Sequence, residues 1–227
     1  DIRIAQLDSI ALLKKDKIET YFEGWKSTIR SIQLNPDIRK YLPRSNAGEQ
    51  NKNSEAYRIA LRELKDQIRE LRTVHGYLSI MLTDAHGRVV VATSSETEER
   101  VDDPAFAAYV QSAKRDIVFS DIFRRSSGKG QLAMIAAAPV LSEQGVLAGE
   151  IIIEHAMDSI YRSLMDTTGL GETGEVLIAR KEGDAVLFLS PLKKNPQAVL
   201  TTQVSFHDAK GRPAWKAARG ENGSGIE

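Results

Sequence analysis

Two glycine-rich runs are the first segments of the sequence whose residue types and spacing could carry chemistry. Residues Gly169 to Gly174 fit the pattern G-x-G-x-x-G, which cradles the pyrophosphate of a dinucleotide when a strand precedes it and a helix follows. Here the order is reversed, because a helical pattern precedes the glycines and a strand pattern follows them. The run is therefore predicted to end a helix and turn into a strand. Residues Ser126 to Gly130 lack the spacing of a phosphate-binding loop and are predicted to form a hairpin turn.

Other residue types that commonly carry catalysis are absent or scattered. The sequence contains no cysteine, which excludes disulfides, thiolate metal sites and cysteine nucleophiles. No two of the histidines His75, His86, His155 and His207 stand four residues apart, and neither H-E-x-x-H nor G-x-S-x-G occurs. The formal net charge is +0, so no basic excess favours nucleic acid. We therefore predict a non-enzymatic domain with no cofactor, no metal site and no nucleic-acid partner.

A candidate binding surface lies on one face of the first predicted strand. Leu78, Ile80 and Leu82 form an apolar face that is expected to pack on helices, and the alternate residues form a mixed face. Apolar walls with a few polar groups are typical of small-molecule sites. Glu154 ends an apolar strand, where its carboxylate can hold a cationic ligand group, cap the next helix or face solvent. The predicted ligand-binding residues are Tyr77, Ser79, Met81, Tyr109, Asp121, Phe123, Met134, Ala136 and Glu154.

The helices that position this surface are predicted from apolar residues recurring every three or four positions. The first is a long helix whose apolar stripe runs from Leu7 to Ile32. Asn35 and Pro36 then end it and start a second, short helix. This second helix is predicted to reach about Tyr41 and to be ended by Pro43. A third helix is predicted from Ser54 to Leu71, and shorter helices over residues 104–113, 157–168 and 213–219.

The strands are predicted in two sets that resemble each other. The first set covers residues 77–83, 89–93, 117–123, 132–140 and 146–154, and the second covers 175–180, 185–190 and 199–206. Gly87 and Gly183 hold equivalent positions in the first turn of each set. The sequence therefore predicts an α+β protein with two similar antiparallel-sheet modules, the second of them incomplete in this chain.

This order of elements resembles the double Cache (tandem PDC) sensor domain of prokaryotic membrane receptors. The resemblance lies in the long helix, the helical hairpin, and two sheets, the second opening with the run Gly171 to Glu175. Supporting segments are Thr83 to Val89, Phe119 to Phe123, Ala138 to Val140 and Gly149 to Glu154. The resemblance implies a helical stalk and hairpin (1–75), a membrane-distal PAS-like module (76–154), a linking helix (155–170) and a truncated membrane-proximal PAS-like module (171–227).

The resemblance also implies a function. A small molecule is expected to bind the distal module, outside the cytoplasmic membrane, and to pass a signal through flanking transmembrane helices to an output such as a histidine kinase. Many amino-acid-sensing members carry an Arg-x-Trp-Tyr element, of which only Tyr109 is kept in the run Ala105 to Tyr109. An amine, an amino-acid-like molecule, or a small carboxylate held by Arg124 or Arg125 all stay open as ligands.

Two further expectations accompany that function. The apolar stripe of the first helix, from Leu7 to Ile18, is expected to form a homodimer contact or to pack only on its own sheet. The alternative to ligand sensing is a structural or protein-interaction ectodomain, in which the protein's own side chains fill the pocket.

Overall fold

The computed structural model describes residues 2–45, 53–94, 112–113, 115–126, 130–166, 168–170, 174–208, 211–221 and 223. The chain divides into two compact units. The large unit is Glu23–Ala156, and the small unit combines Asp1–Phe22 with Met157–Glu227. The first helix contributes residues to both units.

Three helices precede the first strand. They are α1 (Ile2–Gln33), α2 (Pro36–Ser45) and α3 (Glu55–His75). Asn35 starts α2 as predicted, because its side-chain oxygen accepts hydrogen bonds from the backbone N–H groups of Asp37 and Ile38 at 2.9 and 3.1 Å. Ser54 caps α3 in the same way, and Gly76 ends it in the left-handed conformation at φ 65°.

One helix boundary differs from the prediction. Pro43 was expected to end α2, but the helix contains it and continues to Ser45. Leu42 and Ser45 are buried, so the last turn of the helix, which contains Pro43, is packed inside the protein. Tertiary packing has therefore overridden the local tendency of proline to break a helix.

The large unit contains an antiparallel sheet that the helices cover on one face. Among the described residues its strands are β1 (Ser79–Asp84), β2 (Val89–Ala92), β3 (Val118–Phe119), β4 (Phe123–Arg124), β5 (Leu132–Leu141) and β6 (Leu147–Ala156). The order is β2-β1-β6-β5-β3, and β4 also pairs with β5. The first and last long strands, β1 and β6, are thus neighbours at the centre.

The helix-covered face forms the core of this unit. Ile80 and Leu82 of β1 are fully buried, which confirms the prediction that the apolar face of this strand is turned inward. Trp25 of α1 packs on Phe119 and His155, with ring centroids 5.0 Å apart in each case. The other buried helical residues are Ile29, Ile32, Ile38, Leu42, Ala60, Leu64 and Ile68.

A bulge divides the third predicted strand into β3 and β4. Val118 pairs with Ala137, whereas Phe123 pairs with Ala133, so five steps along one strand match four along the other. The side-chain oxygen of Ser120 replaces a backbone acceptor here and receives the N–H of Ile135 at 2.9 Å. Side chains after the bulge therefore lie on the opposite face from the one that simple alternation predicts.

The turn between β1 and β2 is organised by Asp84. One carboxylate oxygen accepts the backbone N–H groups of His86 and Arg88, each at 2.9 Å, and the other accepts Arg88 Nε at 2.7 Å. Burial raises the pKa of Asp84, but the hydrogen bonds from Arg88 and His86 outweigh it and hold the pKa below its usual value.

The small unit holds a second antiparallel sheet. Its strands are β7 (Ala179–Glu182), β8 (Ala185–Phe188) and β9 (Gln203–Ser205), in the order β7-β8-β9, with helices α4 (Asp158–Met165) and α5 (Arg212–Ala218). The two helices and the second and third strands predicted in this region are confirmed, although both strands are shorter than predicted. The first strand lies later than the predicted 175–180, since β7 begins only at Ala179 and ends at Glu182. Lys14 of α1 donates to the backbone oxygens of Ser163 and Asp166 at 2.8 and 2.7 Å and so caps the end of α4.

The α+β fold predicted from the sequence is therefore confirmed, with a long N-terminal helix and antiparallel sheets. The predicted helix over residues 104–113 lies outside the described residues except for its last two positions. Residues 171–173 of the glycine run also lie outside the described residues. Within the described ranges, no helix is long and apolar enough to cross a membrane.

Candidate functional site

The sheet face opposite the helices carries the candidate site. The pairing of β1 and β5 with β6 places Ser79 and Ile135 beside Glu154, and Met81 and Ala137 beside Ile152. These side chains therefore share one face of the sheet. The bulge brings Phe123 to this face as well, because it pairs with Ala133. The centre of the face is an apolar cluster of Met81, Ala113, Ile135, Ala137 and Ile152, against which Val89, Ala92, Val118 and Phe123 pack.

A buried ion pair lies beside this apolar cluster. Glu154 Oε1 accepts Arg125 Nε at 2.9 Å, and the Ser79 hydroxyl donates to Glu154 Oε2 at 3.0 Å. The Glu154 side chain is only 3% exposed and that of Arg125 10%. Two opposite charges in such a low-dielectric setting interact much more strongly than a surface pair. Glu154 therefore faces this site instead of capping a helix or facing solvent.

A second carboxylate lies further along the same face. Glu150 precedes Glu154 by four residues on β6, and both side chains are buried. The Thr83 hydroxyl donates to Glu150 Oε2, and the Glu150 backbone N–H donates to the Thr83 hydroxyl oxygen. Sequence reasoning missed this pair, although the alternation of β1 and β6 places both residues in line with Ser79 and Glu154.

Several predicted ligand-binding residues lie elsewhere. Met134 pairs with His155, and Ala136 with Ile153, so both are on the helix-covered face, because Glu154 is on the other. The expectation that they line the same pocket wall as Ser79 is therefore corrected. Tyr77 packs between the rings of His75 and His155, with centroids at 5.3 and 5.6 Å.

The other two residues of the predicted set are Asp121 and Tyr109. Asp121 is exposed within the bulge, and the Ser120 hydroxyl donates to its backbone oxygen at 2.7 Å. Tyr109 lies outside the described residues, and its role stays a prediction. The structure thus brings together Ser79, Met81, Phe123 and Glu154 of the predicted set and adds Arg125 to them.

Arginine at position 125 was considered from the sequence only as a holder of a ligand carboxylate. Its partnership with Glu154 could not be read from the local sequence, because the two residues are 29 positions apart and the bulge decides which face Arg125 occupies. Chemically, the site offers a carboxylate, a guanidinium and a hydroxyl beside an apolar surface. Such a set can bind a small charged molecule by charge-assisted hydrogen bonds.

No protein-family model matches the sequence, and no curated protein is significantly similar to it. Solved structures are similar in fold. The ligand-binding domain of the Pseudomonas aeruginosa PAO1 amino acid chemoreceptor PctC, in complex with GABA, matches with a TM-score of 0.62 and 16% identity over 89% of this chain and 79% of that chain. The domain of the Pseudomonas fluorescens chemoreceptor CtaA with L-serine matches with a TM-score of 0.55 and 13% identity, over 88% and 75% of the two chains.

The Campylobacter jejuni chemoreceptor Tlp3 is similar too. Its ligand-binding domain with 4-methylisoleucine matches with a TM-score of 0.52 and 12% identity, and the match covers 72% of this chain but only 62% of that one. At these identities the likeness establishes the fold. The chain has the fold of these ligand-binding domains of chemoreceptors.

Proposed function

We propose that this chain is the ligand-sensing ectodomain of a transmembrane receptor and binds a small charged molecule at the Glu154 face of the large unit. The observation that carries the proposal is the buried Arg125–Glu154 pair beside an apolar cluster. Burying two charges is costly, and replacing such a pair with apolar residues is often neutral or stabilising. We therefore interpret the buried pair as part of a ligand-recognition site and not as a device for stability.

The similar structures support the same function. Their domains are described with GABA, L-serine or 4-methylisoleucine, all of which carry an amino group and a carboxylate. They belong to chemoreceptors, which supports a methyl-accepting signalling output beside the histidine kinase that the sequence resemblance suggested. In either case we propose that this portion lies outside the cytoplasm and that the ligand biases one of two conformations by binding it more tightly.

Thermal unfolding in the presence of ligands tests the proposal. The domain is screened against amino acids, amines and small carboxylates, since a ligand at a hundredfold excess over its Kd stabilises the folded state by about 2.7 kcal/mol. Glu154→Gln is expected to abolish the stabilisation by any hit. Glu143→Gln is the matched control, because it makes the same chemical change at an exposed carboxylate in the turn between β5 and β6. A panel without any hit, or a hit unaffected by Glu154→Gln, would contradict the proposal.

We also propose that the receptor is a homodimer through α1. Leu7, Leu12 and Leu13 are 49%, 58% and 68% exposed, so this part of α1 presents apolar side chains that a second copy of the chain can cover. Sedimentation velocity of the domain and of a Leu12→Asp/Leu13→Asp variant checks this. The unchanged domain is expected to form a concentration-dependent dimer and the variant to remain a monomer, and a monomer at every concentration would contradict the proposal.

The alternative function is a protein-interaction ectodomain without a small ligand. One observation favours it: Met81 is fully buried in the apolar cluster, so its own side chain fills part of the face. Under this alternative, Met81→Ala creates a cavity and lowers stability without changing any ligand response. Under ligand sensing, Met81→Ala also changes the affinity of the hits found in the screen.

A further inference from the structure

The outer side of α3 carries a row of positive charge that is separate from the Glu154 face. Basic residues recur along this helix at spacings of four, three, four and three, so helical geometry places them in one strip parallel to the axis. All of them are exposed, and the strip is about 21 Å long at about 1.5 Å per residue. The basic strip consists of Arg58, Arg62, Lys65, Arg69 and Arg72.

Acidic side chains of α3 do not neutralise the basic strip. Among the described residues, Arg69 Nη1 lies 3.8 Å from Asp66 Oδ1, and no acidic side chain lies within ion-pair distance of the other four. Glu63, Asp66 and Glu70 are turned away from the strip by roughly 100° around the helix axis. Like charges three and four positions apart repel each other on a helix surface. An anionic chain that lies along α3 would therefore relieve this repulsion at several positions together.

The side chains of the basic strip surround an open groove of about 260 Å³. Four members of the strip line this groove, and Leu61 and Asp66 line it as well. Leu61 is partly buried, so the groove offers little apolar surface. Its binding capacity lies instead in guanidinium groups, each of which can hold a carboxylate through two parallel hydrogen bonds. These features suit an extended molecule that repeats a carboxylate along its length.

Other kinds of anionic partner fit the basic strip less well. The centre of a protein–protein interface is usually apolar or aromatic, and the described residues that line the groove include no exposed apolar side chain. Proteins that bind single-stranded nucleic acid stack its bases on aromatic rings, and no aromatic residue lines the groove. Helices that lie on a membrane surface insert apolar side chains among the lipids, which this strip does not provide.

We propose that the basic strip of α3 is a docking surface for an acidic polysaccharide, a linear sugar chain with a carboxylate on each unit. The proposal goes beyond the small-molecule site. It rests on the proposed function only in placing the domain outside the cytoplasm, where cell-surface and matrix polysaccharides lie. The helices cover the sheet face opposite Glu154, so the polymer and the small molecule bind different surfaces of the large unit.

Thermophoresis of an end-labelled oligogalacturonate tests the proposal, with an oligomer long enough to span the strip. Its fully methyl-esterified form is the matched probe, because it has the same sugar backbone without the charges. The unchanged domain is expected to bind the acid form and not the ester. Ion pairing releases counterions, so raising NaCl from about 50 to about 200 mM is expected to weaken binding by about tenfold to a hundredfold, which corresponds to roughly two to five paired charges.

Two variants with the same change in net charge identify the surface. Arg62→Glu/Arg69→Glu is expected to weaken binding at least about tenfold, because two sites along one polymer change from attraction to repulsion. Arg62→Gln/Arg69→Gln is expected to give a smaller loss in the same direction. The control is Arg162→Glu/Lys216→Glu, which alters exposed residues of the small unit and is expected to change the Kd by less than about twofold, because salt screens distant charges. Far-UV circular dichroism checks that each variant keeps its helix content.

Several results would overturn the proposal. One is equal binding by the unchanged domain and by Arg62→Glu/Arg69→Glu, and another is an equal loss in the control, which would reflect overall charge. Tighter binding of poly-L-glutamate, a single-stranded oligonucleotide or phosphatidylglycerol vesicles at equal ionic strength would assign the strip to a peptide, nucleic acid or membrane instead. Absence of oligogalacturonate binding overturns the docking surface and leaves the ligand screen at Glu154 unaffected. Oligogalacturonate binding beside an empty ligand panel supports the docking surface and contradicts small-molecule sensing alone.

Discussion

The stability of the Arg125–Glu154 pair can be tested without any ligand, by a double-mutant cycle. Glu154→Gln leaves a guanidinium that is about nine-tenths buried, and Arg125→Met leaves a carboxylate that is almost completely buried. Each single change is expected to lower the free energy of unfolding by about 3 kcal/mol, the lower end of the range for breaking a buried pair. The double variant loses both charges together and is expected to differ from the unchanged protein by about 1 kcal/mol or less.

Urea unfolding followed by tryptophan fluorescence measures this. Trp25 is buried in the same unit as the ion pair, whereas Trp215 belongs to the small unit, so all variants carry Trp215→Phe. With a denaturant dependence of about 1–3 kcal/mol per molar urea, a loss of 3 kcal/mol moves the midpoint by about 1–3 M. Arg124→Met is the control and is expected to move the midpoint very little, because the Arg124 side chain is exposed.

The cycle has two results that would refute the reasoning. If each single variant loses less than about 0.5 kcal/mol, the pair behaves like a surface ion pair and is not shielded from water. If the double variant loses as much as the two single variants added together, the charges do not compensate each other.

Three further predictions concern the scaffold and use the same unfolding assay. Gly149→Ala is expected to cost about 3 kcal/mol, because an added Cβ would lie 1.9 Å from the Thr83 carbonyl oxygen; a cost below 1 kcal/mol would contradict so close an approach of β1 and β6. Asp84 has a lowered pKa, so its stabilising contribution is present above the unfolded value of about 3.9 and is lost as pH falls through the lower folded value. Asp84→Asn is therefore expected to reduce the pH dependence of stability below about pH 4, and an unchanged acid limb would count against this. Ser54→Ala is expected to cost about 1 kcal/mol through loss of the cap of α3, and Ser54→Gly only a few tenths, so equal losses in both would argue against a side-chain cap.

Much of the scaffold could be predicted from the sequence, because local patterns determine it. Asn35 and Ser54 mark helix starts through side-chain hydrogen bonds to nearby backbone groups, which depend on residues only two or three positions away. The alternation of Leu78, Ile80 and Leu82 gave the helix-covered face of β1 for the same reason. Pro43 was misjudged because the packing of Leu42 and Ser45, which is not local, decides where α2 ends.

The candidate site was predictable only in part. Ser79 and Met81 were placed on one face by alternation within β1, whereas Glu154 was left with three possible roles at the end of its strand. The face of Met134 and Ala136 could not be predicted in this way, because it depends on which β6 residue each of them pairs with, and the sequence does not show that pairing. Arg125 was named without its partner, since the ion pair depends on the bulge between β3 and β4.

That bulge makes one edge of the sheet sensitive to the length of the chain and not only to its composition. Deletion of a single residue from Ser120 to Ile122 would leave four steps on each strand, so Phe123 would still lie opposite Ala133 and Arg125 would keep its face without any bulge. Loss of the bulge at unchanged length would instead turn both side chains towards the helices. A distant relative without the bulge is therefore expected to be one residue shorter here if it holds an arginine against the residue that corresponds to Glu154. A sequence alignment without that one-residue gap would compare residues on opposite faces and hide the shared arginine.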